Sequence, residues 1–596
     1  MQTIETINQL VQRTFADFPD SDSLGWKVEG QYQFISYSEL AERVRHAALG
    51  LHGIGIVKGD RVALLSENRW EWAVTDLAAL SLGAIVVPMF PSLPPQQVRY
   101  VLSDSGAKAV AVSTSDQLGK VLEVENSLPD LQRKIIFEAG TQTVEAVPLE
   151  EIMARGRERD PADRDFFESA WKSVTGDDLA SIIYTSGTTG DPKGAMLSHN
   201  NFASNAQASA KVLEFSFNDR FLSFLPLSHV FERTAGHFLP FTVGASIAYT
   251  ESLFTVARNL REAKPTILLS VPRLYESMQE KILESAARLP PTRKKIFLWS
   301  MDIARQVGRL KGQWTRLPLL LEAKHAAADT LVYQRIRESF GGRLRCFVSG
   351  GAPLPSSIGE FFCGLGIDIL QGYGLTETSP VMTVNRPGSR RFDTVGLPVE
   401  GVEVRLAEDV EILCRGPLVM QGYYNKQEET SSVIDGEGWL HTGDIGVMEP
   451  DGHLKITDRK KNILVLANGK NVAPQPIESH LIQSPYISQI LLTGDQQKAV
   501  AALIVPAFDA VKEALSGKGV DAPTPEAIVE LREARQLIKS EIDRLSDHLA
   551  DFERLKRFTL LPREFSMAEG ELTPTLKIKR KVVLEHFREQ VQQMAE

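Results

Sequence analysis

The run Tyr184-Thr185-Ser186-Gly187-Thr188-Thr189-Gly190-Asp191-Pro192-Lys193-Gly194 carries the densest chemistry in the sequence. Glycines let backbone amides approach an anion, hydroxyls donate hydrogen bonds to phosphate oxygens, and Lys193 adds positive charge. The apolar stretch Leu179 to Ile183 directly before it reads as a strand, so the run sits where a strand would present a loop. By its chemistry this is a phosphate loop. Its spacing departs from G-x-x-x-x-G-K-S/T, which disfavours the common P-loop ATPases.

Further segments follow in a fixed order. They are Leu225-Pro226-Leu227-Ser228-His229, Ser349-Gly350-Gly351-Ala352-Pro353, Gln371-Gly372-Tyr373-Gly374-Leu375-Thr376-Glu377-Thr378, Gly438-Trp439-Leu440-His441-Thr442-Gly443-Asp444, Asp458-Arg459-Lys460-Lys461 and Thr573-Pro574-Thr575-Leu576-Lys577. With the phosphate loop, this ordered set resembles the acyl-adenylate-forming, or AMP-binding, superfamily of acyl-CoA synthetases, luciferase and peptide-synthetase adenylation domains. The resemblance runs over nearly the whole chain. It implies a two-step reaction: a carboxylate attacks the α-phosphate of ATP and expels pyrophosphate, and the acyl adenylate then passes to the thiol of CoA.

That chemistry brings two anions together, so Mg²⁺ and cationic donors are expected. The resemblance places Thr185 and Glu377 on the metal side, as hard oxygen donors of the kind Mg²⁺ prefers. Ser186, Gly187, Thr188, Thr189, Gly190 and Lys193 fall to the phosphates, with Thr376 and Arg459 also beside the nucleotide. Gly350, Gly351, Gln371, Gly372 and Tyr373 look like the adenine and AMP pocket. Asp444 is expected to accept from the ribose hydroxyls, as an ionised carboxylate can only accept. Lys577 is the expected bridge between the carboxylate and the α-phosphate, acting by charge. His229 and Phe231 stand where the family has its acyl-binding or gating residues. Asp458 and Lys461 mark a hinge, beyond which Gly469 and Lys470 lie on the CoA side. Some relatives carry a lysine where this sequence has Val465, and that role is not carried over.

Leu225 to Arg233, Ser270 to Glu276 and a helical insertion at 280–340 resemble the long-chain fatty acyl-CoA synthetases, especially a bacterial type. A long-chain fatty acid is therefore the expected substrate, with a medium-chain or aromatic acid, or delivery to a carrier protein, as alternatives. Each buried methylene is worth about 0.8 kcal/mol, so chain-length selection needs a long apolar tunnel. Ala235 to Ala248 is a candidate wall. A fatty acid partitions into bilayers, so transient peripheral membrane contact is expected, although no amphipathic anchor stands out. Enzymes of this kind are often dimeric, and the resemblance extends to a homodimer.

The elements that must position these groups are legible in outline. Ser36 and Glu39 form a capping box, and Leu40, Val44, Ala47 and Leu51 recur at helical spacing until Gly53. Arg61 to Leu65, Ala84 to Val87, Ala107 to Val112, Leu179 to Tyr184, Thr266 to Val271 and Leu344 to Ser349 read as strands. Trp70 to Leu82 reads as a helix between two of them. This alternation predicts an α/β domain with parallel-rich sheets. Residues 1–457 are assigned to a large N-terminal AMP- and acyl-binding domain, 458–461 to the hinge, and 462–596 to a small mobile α+β domain, together an adenylate-forming, luciferase-like fold.

Composition narrows the alternatives. A chain of 596 residues exceeds what one core organises. A formal charge of -10 argues against broad nucleic-acid binding. Cys346, Cys363 and Cys414 are too scattered for a zinc site or a disulfide framework. The longest apolar run, Leu77 to Phe90, is about 14 residues, short of the roughly 20 a membrane helix needs. MQTIETINQLVQRTF lacks a basic segment followed by an apolar one, so the cytoplasm, or the inner face of the membrane, is the expected location.

Overall fold

The computed structural model describes residues 4–138, 140, 144–185, 191–468, 470–517, 519–520, 522–547, 549–573 and 577–595. The helix Tyr37–Gly53 starts at the capping box, with both the Ser36 and Glu39 hydrogen bonds formed. Its Leu40, Val44, Ala47 and Leu51 are buried. Each such Leu or Val stabilises the fold by about 1.5–3 kcal/mol relative to exposure. The strand Arg61–Leu65 and the helix Trp70–Ser81 follow, and the chain then enters Ile85–Met89.

Two large sheets organise the N-terminal domain. In the described residues the first has eight strands and is parallel through Leu179–Thr185, Ile85–Met89, Arg61–Leu65, Ala109–Val112 and Arg133–Ile136. Lys193–Ser198 turns back antiparallel beside Leu179–Thr185, so that Thr185 pairs with Lys193. The second has nine strands, with Ser246–Tyr249, Arg220–Ser223, Ile267–Ser270, Cys346–Ser349 and Asp368–Gly374 parallel at its centre. Ligands of open parallel sheets gather outside the carboxyl ends of the strands. Leu225 to His229, Val271, Gly350 and Gln371 to Tyr373 all lie at such ends.

The stretch 280–340 is helical, with the long helix Pro291–Gly312 as its main element. This helix is part of the core. Phe297, Met301 and Ala304 join a cluster with Phe347, Phe361 and Phe362 of the nine-stranded sheet and its covering helix Ser356–Gly364. The two helices approach so closely that a Cβ on Gly308 would stand 1.8 Å from the Glu360 carbonyl oxygen.

A four-stranded antiparallel sheet, Glu403–Leu406, Glu411–Arg415, Leu440–Met448 and Leu454–Arg459, leads to the smaller domain. That domain holds a three-stranded sheet, Ile487–Thr493, Ala501–Pro506 and Arg557–Leu560, with its own cores. The amphipathic stretch 526–549 forms two helices, Pro525–Glu530 and Arg532–Leu545, separated at Leu531, whose backbone is extended.

Candidate active site

Asp444 and Arg459 face each other on neighbouring antiparallel strands. Asp444 is only 3% exposed. One of its oxygens accepts from the Tyr373 hydroxyl at 2.6 Å, and the other lies 3.0 Å from Arg459 Nε. Burial and the Asp444 charge hold the Tyr373 phenol far above its ordinary range, so it stays a donor. The turn before Asp444 is fixed from below: Glu411 accepts from the Gly443 amide at 2.9 Å and from Lys460 at 3.1 Å. Thr442, Gly443, Arg459, Lys460 and Lys461 line a cavity of about 310 Å³ beside it.

Lys577 comes from the small domain to this place. The protein around it pushes its ammonium down to about 8; Arg459 adds to the depression and Asp444 opposes it. Lys577 is nonetheless exposed to solvent. Its charge is also felt at His229. Burial first, and Lys577 second, push that imidazole down to about 4. His229 is therefore neutral at neutral pH. Its Nδ1 accepts from the Phe231 amide at 3.2 Å, which assigns the ring proton to Nε2. The Phe231 ring lies 3.0 Å from where a Cβ on Gly350 would be, so the absent side chain makes room for the ring.

A second cluster stands at the phosphate-loop hairpin. Tyr423, in a short strand paired with Lys193–Ser198, donates from its hydroxyl to Glu377 at 2.7 Å. The Lys193 ammonium sits 5.1 Å from the centre of the Tyr423 ring. The Glu377 carbonyl accepts from the Met420 amide at 2.8 Å, so backbone and side chain are both anchored to this stretch. Thr185, paired with Lys193, ends the strand at the same hairpin. The hydroxyl of Thr185 and the carboxylate of Glu377 are hard oxygen donors that fit Mg²⁺. Burial lowers the Lys461 ammonium in the wall of the cavity beside the Asp444 turn, helped by Arg459 and opposed by Asp444 and Glu377, so its charge is coupled to both clusters.

Behind His229 the chain buries charge. Arg233, fully buried, pairs with Asp76 and donates to Ser181. His237 lies 3.3 Å from the same aspartate. Glu232 accepts from the Ser223 hydroxyl at 2.6 Å, and burial raises its carboxyl to about 8. Its carboxyl group occupies the space where Gly236 would carry a side chain, 2.6–2.8 Å from an ideal Cβ.

The structure thus brings Lys193, Glu377, Tyr373, Asp444, Arg459, Lys461, Lys577 and His229 to one region. Ser186, Gly187, Thr188, Thr189, Gly190 and Gly469 lie outside the described residues. Lys470 is directed elsewhere, its ammonium 4.4 Å from the Phe552 ring of the small domain. Asp458, expected as a hinge residue, is 1% exposed and accepts from the Gln475 amide at 2.9 Å. It thereby ties the last strand before the small domain to the helix Pro474–Leu481. Tyr423, Glu411 and Glu232 were not reached from the sequence. A tyrosine just beyond a glycine, as at Gly422-Tyr423, is too common a pattern to single out.

Sequence profiles decide the relationship. The profile described as "AMP-binding enzyme" matches residues 11–424, and that of the "AMP-binding enzyme C-terminal domain" matches 461–596. The chain belongs to the AMP-binding enzyme family. Among relatives in this family, the long-chain-fatty-acid–CoA ligase FadD15 of Mycobacterium bovis is 36% identical over 588 residues, covering 96% of this chain and 94% of that protein. The long-chain-fatty-acid–CoA ligase ACSBG1 of Homo sapiens is 30% identical over 622 residues, covering 98% and 84%. The fold is shared with the anthranilate CoA ligase AuaEII solved with anthranoyl-AMP, at TM-score 0.73 and 21% identity over 99% of this chain and 98% of that one. It is also shared with the adenylation domain of a carboxylate reductase from Mycobacterium chelonae, at TM-score 0.74 and 23% identity over 100% and 91%. Like these AMP-binding enzymes, the chain has a large N-terminal domain of mixed sheets and a smaller C-terminal one.

Proposed function

We propose that this AMP-binding enzyme activates a long-chain fatty acid with ATP and transfers the acyl group to CoA. The observation that carries the reading is Lys577, whose charge is coupled to Arg459, Asp444 and His229. In the first step a carboxylate oxygen bonds to the α-phosphorus, the bond to the β-phosphate bridge breaks, and pyrophosphate leaves. Asp444 is suited to hold the ribose, and its clamp by Tyr373 and Arg459 fixes it before the ligand arrives. Lys577 offsets the charge gathering on the α-phosphate and the carboxylate. Neutral His229 offers one Nε2 proton to the acid without adding charge. Glu377 and Thr185 would hold Mg²⁺, which supplies charge neutralisation at the triphosphate when bound.

In the second step the CoA sulfur bonds to the acyl carbon, the acyl–phosphate C–O bond breaks, AMP leaves and the thiol proton passes to solvent. With Lys577 in the cleft and Lys470 turned toward Phe552, the present arrangement suits the first step. Residues 458–461 act as the hinge and 462–596 as the moving domain in this reading. Hinges absorb dihedral change at few residues. The choice of acid rests on the named activity of the relatives and on the motifs around His229. Mixing the protein with ATP, Mg²⁺, CoA and equimolar acids from acetate to long-chain and aromatic acids, and following products by mass spectrometry, tests it. Long-chain acyl-CoA with AMP is expected. AMP without acyl-CoA would point to a carrier-protein acceptor, and a preference for short or aromatic acids would overturn the choice of substrate.

A further inference from the structure

Residues 288–299 contain Arg288, Arg293, Lys294 and Lys295 and no acidic residue, in a chain of net charge -10. Among the described residues none of these four cations takes part in an ion pair of the structure. The three consecutive ones stand near the amino end of the helix Pro291–Gly312, whose first turn has no acidic residue and no side-chain cap. That is the positive end of the helix dipole, where cations are unfavourable and anions are stabilised. Helix stability therefore does not explain them.

Directly beyond them, Ile296, Leu298 and Trp299 are 42%, 52% and 37% exposed, while Phe297, Ser300 and Met301 of the same turns are buried in the core. The helix thus has one face built into the sheet cluster, Lys295 shares the opposite side with the exposed Leu298 and Trp299, and Arg293 and Lys294 are exposed in the first turn, at the helix end beyond the packed face. Tryptophan and Lys or Arg together suit the boundary between water and acyl chains, where the ring is half immersed and the charge meets headgroups.

We infer that this corner docks the enzyme on an anionic lipid bilayer, with Arg293, Lys294 and Lys295 at the headgroup phosphates and Ile296, Leu298 and Trp299 in the acyl boundary. Charge complementarity selects the occupant: the cations and the helix's amino end call for anions, and the apolar residues beside them call for a hydrocarbon edge. The place also suits the reaction, and this part rests on the proposed function. The helix Pro272–Ser285 starts beside the site, with Val271 3.7 Å from an ideal Cβ on Gly351, and ends at the turn that holds Arg288. Its 14 residues span about 20 Å, so docking here would hold the site close to the membrane that dissolves a long-chain acid.

The test is co-sedimentation of the full-length enzyme with vesicles of phosphatidylcholine, with and without phosphatidylglycerol, over a range of salt. Binding that requires phosphatidylglycerol and weakens with salt is expected. The triple substitution Arg293→Gln, Lys294→Gln, Lys295→Gln is expected to weaken it about 100-fold, and Trp299→Ser by about tenfold. Phe254→Ser, at a fully exposed ring two residues past Ser252 and close to Glu251, is the control and is expected to leave binding unchanged. Equal binding to both vesicle types, or wild-type binding by the triple variant, overturns the inference. So does a wild-type dimer in light scattering that the triple variant converts to monomer, since the corner would then join two copies. The sedimentation readout does not need turnover, so loss of the fatty-acid reading would leave this result standing on its own.

Discussion

Arg233 and Lys577 are both cations whose guanidinium or ammonium the fold pushes below its ordinary range, and the protein treats them in opposite ways. Arg233 is wholly buried, paired with Asp76 and Ser181, and enclosed by the rings of Trp72, Phe202 and Phe238 at 5.4–5.6 Å. Its charge is answered from within. Lys577 has another cation, Arg459, as a principal neighbour, and the nearby Asp444 has both oxygens engaged by Tyr373 and Arg459. Among the described residues Lys577 forms no ion pair, so its demand is for an anion brought by a ligand. The structural charge is paired with an internal carboxylate; the charge meant for a ligand is left without one among the described residues.

That contrast breaks most readily at Asp76. Asp76→Ala leaves Arg233 buried and unpaired, a loss of about 3–5 kcal/mol. A large fall in melting temperature is expected, and an unchanged melt would mean that Arg233 is not held as described. Lys577→Ala is expected to leave the melt nearly unchanged and to slow pyrophosphate release about 100-fold or more, the scale on which single charge-stabilising donors act. Thioester formation from a supplied acyl adenylate should largely survive, and equal loss in both steps would move the role elsewhere.

The depressed ammonium of Lys577 gives a sharper test. Only its protonated form carries charge, so the first step should decline as pH rises through about 8, while Lys577→Arg, which stays charged, should flatten that limb. A limb unchanged by the substitution would assign the titration to another group. The smallest effect concerns Tyr423→Phe, which removes the hydroxyl held by Glu377. About tenfold slower adenylation with a raised Mg²⁺ requirement is expected, since hydrogen bonds to charged groups are worth roughly 1.5–3 kcal/mol. A rate loss that no amount of Mg²⁺ relieves would separate Tyr423 from the metal side.

Much of this was legible where the signal is local. The capping box at Ser36 and the strand Arg61–Leu65 follow from neighbouring residues and come out as read. The strand read as Ala84 to Val87 runs Ile85–Met89, because pairing with Arg61–Leu65 sets its length. The candidate site was legible as motifs, and Asp444, Arg459, Lys577 and His229 are linked in the structure by an ion pair and by their charges. What the motifs do not carry is partnership across the chain. Tyr423 meets Glu377, and Asp76 meets Arg233, across separations that no local pattern encodes. The docking face was missed for a related reason. The stretch 280–340 reads only as a helical insertion, and packing alone divides the apolar residues of Pro291–Gly312 into a buried set and an exposed one.

The fit between Glu232 and Gly236 bears on how this chain can change over generations. The Glu232 carboxyl fills the volume that any side chain at 236 would need, and the backbone there is itself buried. A side chain at 236 therefore requires the buried Glu232 carboxyl to swing away from Ser223, or position 232 to shrink first. The two positions are coupled: Gly236→Ala alone is expected to lower the melting temperature, and the same change is expected to cost less after Glu232→Ala.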